Sequence, residues 1–327
     1  MKKKALITGI TGQDGSYLAE FLLKKGYSVH GMVRRVAAED ESHRFWRLRH
    51  IKDKITIHAG SLESYASVIN IITKIKPHEI YHLGAQSYID YAFKDEFSTI
   101  NTNINGTHFL LSTIKEFSPK TKFYFAGSSE MFGKVRQVPQ TEKTPFYPRS
   151  VYGISKVAGF DLTRNYREAY NLFCCSGILF NHESPRRGFE FVTRKITHSV
   201  ARIKFGLQKD LKLGNMEAKR DWGHAKDYVE AMWLMLNQRK PDDYVISTGK
   251  HFSVRDFTKL AFQLVDLDYR KYVKIEKSLY RPSEVESLLG DCRKAKINLK
   301  WKPKYDFKKL VQDMVRADLE FVEKEGY

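Results

Sequence analysis

A chain of 327 residues with 42% hydrophobic and 13% aromatic residues can bury one large core or two cooperating ones without disulfide or metal staples. Its formal charge of +18 admits nucleic acid, an acidic membrane surface or small phosphorylated ligands as partners. Lys and Arg are spread along the chain and dense only from Arg34 to Lys54, where Glu39, Asp40 and Glu41 interrupt them, so the expected partner is phosphate-bearing and no nucleic acid is expected.

The cysteines are an adjacent pair, Cys174 and Cys175, and a distant Cys292. With no C-x-x-C and no His cluster at zinc-ligand spacing, no metal is expected, and the thiols read as reduced in a cytoplasm. The apolar run after Met1-Lys-Lys-Lys4 stops at Thr11-Gly-Gln-Asp14, too early for a signal peptide. No stretch approaches the roughly 18 apolar residues of a membrane span, so no membrane is expected.

In chain order, strand-like runs fall at Lys4–Thr8, Ser28–Val33, Ile55–Ala59, Glu79–Leu83, Lys122–Ala126 and Cys174–Leu179, separated by helix-periodic segments such as Tyr17–Lys25 and Tyr65–Ile75. Such alternation needs crossover connections. It predicts an α/β fold with a Rossmann-like, doubly wound parallel sheet over residues 1–180. Beyond residue 181 the alternation fades into a short strand at Tyr244–Ser247 and helices at Val254–Val265 and Phe307–Glu323. These predict a smaller C-terminal lobe over 181–327, with some exchange of strands and helices between lobes and one shared cleft. No linker-like run and no repeat divides the chain.

The first strand ends in Gly9-Ile-Thr-Gly12-Gln-Asp-Gly15 and a helix begins at once. Glycines there let the backbone turn sharply and approach a pyrophosphate, whose charge the helix N-terminus stabilises. Alone the string is also compatible with an ordinary tight turn; after the first strand it predicts a dinucleotide site at Gly9, Thr11, Gly12, Gln13, Asp14 and Gly15. The spacing resembles that of the extended short-chain dehydrogenase/reductase superfamily. The second strand runs into Arg34 and Arg35, and paired guanidiniums suit a 2′-phosphate, favouring NADP. Glu39 and Asp40 keep NAD as the alternative, and two solvated arginines are the plainer reading. Leu83-Gly-Ala85-Gln86-Ser87 reads as a small-residue turn passing beneath the cofactor.

Two stretches carry chemistry. In Tyr152-Gly-Ile-Ser-Lys156 the Tyr and Lys lie one helical turn apart, on one face. The ammonium is expected to lower the phenol pKa so that Tyr152 can take a hydroxyl proton. Y-x-x-x-K is common in helices; the nucleotide turn upstream and a strand ending in Ala126-Gly-Ser128-Ser129-Glu130 give it weight. Ser128 is placed to hydrogen-bond the hydroxyl being oxidised. Glu130 is an additional acid: a carboxylate over a sugar ring can remove the C5 proton and then protonate a departing C6 hydroxyl. Its plainer readings are a turn cap or a partner for Lys134.

The sequence resembles GDP-mannose 4,6-dehydratases along essentially its whole length, through Thr8-Gly-Ile-Thr-Gly-Gln-Asp-Gly-Ser-Tyr-Leu18, Pro145-Phe-Tyr-Pro-Arg-Ser150, Asn181-His-Glu-Ser-Pro-Arg-Arg-Gly188, Arg220-Asp-Trp-Gly-His-Ala-Lys-Asp-Tyr228 and Arg281-Pro-Ser-Glu-Val285. The resemblance implies catalytic roles for Ser128, Glu130, Tyr152 and Lys156. It implies cofactor contacts that add Ser61, Leu62, His182 and Arg187 to those above, and GDP-sugar contacts from Ser87, Ser129, Asn181, Lys195, Asn215, Arg220, Arg281 and Glu284. It also implies a homodimer or homotetramer. Ser128 stands where the family usually has Thr, Ser61 where Asp is commoner, and Val36–Arg44 where a serine-rich loop is usual. Tyr88, Asp90 and Tyr91 replace smaller residues near the sugar, which leaves GDP-N-acetylglucosamine, as used toward legionaminic acid, and GDP-heptose as alternatives to GDP-mannose. A sugar-nucleotide epimerase or reductase, a non-catalytic dinucleotide-sensing protein and a basic nucleic-acid binder are the other readings.

Overall fold

A computed structural model describes residues 2–280, 285 and 287–325. The chain runs β1 (Lys4–Thr8), α1 (Gln13–Lys24), β2 (Ser28–Val33), β3 (Ile55–Ala59), α2 (Tyr65–Ile75), β4 (Glu79–His82), α3 (Gly106–Phe117), β5 (Lys122–Ser128), α4 (Val151–Tyr170) and β6 (Cys174–Leu179). It continues through α5 (Val192–Lys204), α6 (Ala225–Leu236), β7 (Tyr244–Ile246), α7 (Val254–Gln263) and α8 (Phe307–Glu325), with shorter pieces between. Among the described residues no helix is long and apolar enough to cross a membrane.

The seven strands form one parallel sheet in the order β7-β6-β5-β4-β1-β2-β3. β4 and β6 are buried at every position, as parallel strands covered on both faces must be. One covering layer includes α1 and α6; the other holds α2, α3 and α4. The order reverses between β1 and β4, which opens a crevice at the carboxyl ends of the strands. Both chemical motifs lie at that end: the glycine turn follows β1, and Ser128 closes β5.

The sheet draws its seventh strand and helix α6 from beyond residue 180. β7 pairs with β6, Tyr244 opposite Gly177, and covers what would be an edge strand with unpaired amides and carbonyls. Tyr228, Val229, Met232, Met235 and Leu236 of α6 enter the same core as Leu18 and Leu22 of α1. The smaller lobe has its own core, built from α5, α7 and α8 around Trp222, Phe257 and Phe262.

Asp243 pins β7 in place. It accepts two parallel hydrogen bonds from Arg167 of α4, at 2.8 and 2.7 Å, and one from the Ser176 amide of β6 at 2.8 Å. Both side chains of this ion pair are mostly buried, so removing one leaves the other charged and unsatisfied. Asp243→Ala is expected to destabilise the protein by about 3 kcal/mol, read from denaturant unfolding; a loss comparable to that of an exposed ion pair would show that β7 is held by packing alone.

Candidate active site

Sterics fix the glycine turn. Gly9 has φ +71°, and a Cβ there would lie 2.8 Å from the Gly84 nitrogen; a Cβ on Gly15 would lie 2.3 Å from the Gly9 carbonyl oxygen. The Gly12 amide donates to the Gly9 carbonyl at 3.0 Å. Gly12 then caps α1 with no side chain on the first helical amides, which leaves those N–H groups available to an anion.

The small-residue turn after β4 is tied to the catalytic helix by a residue that sequence reasoning missed. Asn103 accepts from the Gln86 amide at 2.8 Å and donates to the Gln86 carbonyl at 3.1 Å and to Ser155 Oγ at 2.9 Å. Ser155 Oγ in turn donates to the Tyr152 carbonyl at 2.8 Å. Asn103 lies in a π-helical turn, Asn101–Asn105, a distortion that often marks functional sites. No local pattern announces it, because its partners lie 17 and 52 residues away.

These elements bound a cavity of about 330 Å³. Of the residues singled out in the sequence, Asp14, Leu83, Ala85, Ser87, Ser128, Ser129, Glu130, Tyr152, Lys156, Asn181, His182, Arg187, Lys195, Asn215 and Arg220 line it. Thr11 and Gln13 belong to the glycine turn beside it. Other expected contacts lie outside the cavity. The Gln86 amide group is engaged within its own turn, donating to the Tyr88 carbonyl and accepting from the Tyr88 amide. Leu62 packs over Gly84 and Gly106, and the Ser61 amide donates to Ser67 Oγ. Arg34 is exposed at the end of β2, and Arg35 turns to Glu39 at 2.8 Å. Arg281 and Glu284 lie outside the described residues. Tyr88 and Asp90 also line the cavity, the Tyr88 hydroxyl donating to Asp90 at 2.9 Å.

The charges differ from expectation at one point. Burial pushes the Tyr152 phenol up to about 12; a hydrogen bond with Ser128 and the Arg187 charge oppose the rise, while Glu130 and Asp14 add to it. Lys156 does not reverse this. Its Nζ is 5.8 Å from the Tyr152 ring centre and donates to the Ala126 carbonyl at 2.8 Å, and burial brings its own pKa down to about 8. Desolvation of the phenol therefore outweighs attraction from the ammonium.

His182 is the opposite case. Its Nδ1 lies 2.7 Å from the Phe180 carbonyl oxygen and its Nε2 2.7 Å from an Asp14 carboxylate oxygen. A carbonyl and a carboxylate only accept, so both ring nitrogens must carry protons. Burial opposes both charges, yet the pair prevails: His182 is raised, by Asp14 and the Phe180 carbonyl, and Asp14 is lowered, by His182, Gln13 and Arg187.

Around this pair a seam joins α1 to the segment 182–187. Gln13 donates to the His182 carbonyl and accepts from Ser184 Oγ. Arg186 pairs with Glu20, donates to Ser16 Oγ and lies 4.0 Å over the Tyr17 ring. Arg187 reaches the cavity with its Nε 3.0 Å from Glu183 and its guanidinium 3.6 Å over the Phe191 ring.

The chain is similar to known proteins over almost its whole length. The family model described as GDP-mannose 4,6 dehydratase matches residues 6–314. The GDP-mannose 4,6 dehydratase of Cricetulus griseus is 48% identical over 98% of this chain and 92% of its own length; GDP-mannose 4,6 dehydratase 1 of Arabidopsis thaliana is 50% identical over 99% and 92%. Among solved structures, the UDP-glucose 4-epimerase of Thermotoga maritima superposes with TM-score 0.85 at 23% identity, covering 98% of this chain and 99% of that one. The dTDP-glucose 4,6-dehydratase of Bacillus anthracis, solved with NAD, gives 0.85 at 20%, covering 98% of each. These two likenesses concern the fold; the family model and the near-half identity over almost the whole chain go further, and on them this protein belongs to the GDP-mannose 4,6-dehydratase family.

Proposed function

We propose that the chain is a nicotinamide-dinucleotide-dependent GDP-mannose 4,6-dehydratase. The observation that carries the reading is that Glu130, an acid that simple oxidation or epimerisation does not require, lines the same cavity as Ser128, Tyr152 and Lys156. The left-handed Gly9, the uncapped start of α1 and the cationic His182 and Arg187 fit a dinucleotide pyrophosphate. When bound, a nicotinamide supplies the hydride acceptor for sugar C4 and the hydride donor for C6.

The chain's own residues then handle protons and orientation. Ser128 and Tyr152 hold the C4 hydroxyl, and Tyr152 takes its proton as C4 is oxidised, with the Lys156 ammonium favouring the phenolate at that moment. The C4 ketone acidifies C5. Glu130 removes the C5 proton and protonates the C6 hydroxyl, which leaves as water. With hydride supplied to C6 by the bound nicotinamide and the proton that Tyr152 took from the C4 hydroxyl passed on to C5, the products would be a 4-keto-6-deoxy sugar and water, with no net redox change. Lys195 and Arg220 offer charge to the sugar's diphosphate, and Asn181 and Asn215 offer amides. We assign NADP over NAD on the position of Arg34 at the end of β2. The three buried free cysteines support a cytoplasmic setting, and exposed Phe97, Ile100 and Ile154 support a homo-oligomer.

Mass spectrometry of the protein incubated with GDP-mannose is expected to yield a product lighter by one water; loss from GDP-N-acetylglucosamine alone would move the assignment to that sugar. Glu130→Gln is expected to lower dehydration about a thousandfold while single-turnover absorbance still reports reduction of the bound nicotinamide; an intact dehydration rate would remove Glu130 from the mechanism. Because Lys156 is charged below its lowered pKa of about 8, kcat/KM is expected to fall as pH rises through that value, a limb that a pH profile of Lys156→Met should lack. Arg34→Ser is expected to cut the NADP-over-NAD affinity ratio about tenfold, measured by calorimetry.

A further inference from the structure

Apart from Arg34, the basic stretch Arg34–Lys54 has no part in the function proposed above, yet one of its members crosses the molecule. Arg47, between β2 and β3, donates from Nε to the Arg186 carbonyl at 2.7 Å and from Nη1 to the Thr11 carbonyl at 3.2 Å. Its guanidinium lies 4.2 Å over the Trp46 ring. The two carbonyls come from segments about 175 residues apart in sequence, an order of separation that only the packing of two lobes brings within one side chain's reach.

The peptides it holds are the ones that close two turns. The Thr11–Gly12 peptide presents its carbonyl to Arg47 and its N–H to the Gly9 carbonyl at 3.0 Å; the Arg186–Arg187 peptide presents its carbonyl to Arg47 and its N–H to the Ser184 carbonyl at 3.0 Å. A cation on a peptide carbonyl fixes the plane of that peptide and strengthens its N–H as a donor. One guanidinium thereby orients the glycine turn and the turn that delivers Arg187 to the cavity.

This placement is electrostatically unfavourable. Arg186, Arg187 and Arg194 each have a carboxylate, from Glu20, Glu183 and Asp318. Burial, reinforced by those three cations and opposed by Glu190, brings Arg47 down to about 10. A cation kept in cationic surroundings, and hydrogen-bonded to backbone, points to a geometric duty.

We infer that Arg47 is a positioning residue that holds the glycine turn and the Ser184–Arg187 turn in register for the phosphates of a dinucleotide. The inference rests on the cofactor reading above. The test compares wild type with Arg47→Met, which keeps the stem packed on Trp46, and Arg47→Lys, which keeps the charge without the fork. Amide hydrogen exchange is followed in the ligand-free proteins, and NADP and GDP affinities are measured by calorimetry. In Arg47→Met, amides of residues 9–16 and 184–188 should exchange faster together, and NADP should bind about tenfold more weakly with GDP affinity held. Arg47→Lys should not recover either property, because one ammonium does not reproduce a planar fork spanning two carbonyls.

Recovery by Lys would reduce Arg47 to a general positive charge and overturn the inference. So would acceleration of one segment alone, unchanged NADP affinity in Arg47→Met, or equal loss of GDP and NADP binding, which would mark a general structural role. Failure of wild type to bind NADP would sink the cofactor reading instead, while the exchange data would still decide whether Arg47 couples the two turns.

Discussion

Most of the site depends on a carboxylate and an imidazolium kept out of water. Asp14 and His182 are each buried enough for desolvation to oppose their charge, and each is charged because the other is. That mutual dependence fixes the start of α1 against the segment leaving β6, and so the glycine turn against the wall that carries Asn181 and Arg187. The pair is complete between the lowered pKa of Asp14 and the raised pKa of His182. Below that window the carboxylate accepts a proton; above it the ring loses its second N–H and one acceptor goes unsatisfied.

Seen from this seam, the residues around it divide their work. Gln13, Ser184 and Arg186 add neutral or paired contacts. Tyr228 stacks on His182 with ring centres 4.4 Å apart, so α6, a helix of the first domain by packing, backs the imidazolium. Asn103 plays a matching part on the far wall, connecting the turn after β4 to the Tyr152 helix. The cavity is held from both sides by polar contacts that no cofactor needs to induce, which is the preorganisation an oxidation at one sugar carbon requires.

The strands were legible because parallel strands covered on both faces are short, continuous apolar runs, and each of the six in the first half falls within two residues of its expected bounds. The motif residues were legible because glycine turns and a Tyr–Lys helical pair are local. The short strand at Tyr244–Ser247 and an exchange of strands between lobes were legible too, though nothing within β7, three residues long, says which strand it pairs with. Two features escaped. The high pKa of Tyr152 depends on burial that a linear pattern does not reveal, so charge proximity alone gave the wrong sign. Asn103 and Arg47 act through backbone groups of distant segments, and a sequence names the donor without its acceptor. The residues proposed to meet GDP were named from resemblance more than from physics, since Asn215 and Arg220 lie on short pieces between the main elements.

The path of β7 bears on how the protein is made. The sheet that holds the glycine turn is incomplete until residue 246 has been synthesised, because both its last strand and the α6 side of its core come from beyond residue 180. A nascent chain that has just emitted β6 therefore exposes an unpaired strand edge and the apolar face of α1 while about 65 more residues are added. The smaller lobe's α5 is laid down during that interval, before the first domain can close. The two lobes are thus interleaved in time as well as in space, and a cut at the apparent boundary yields an unfinished sheet and not a free-standing dinucleotide domain.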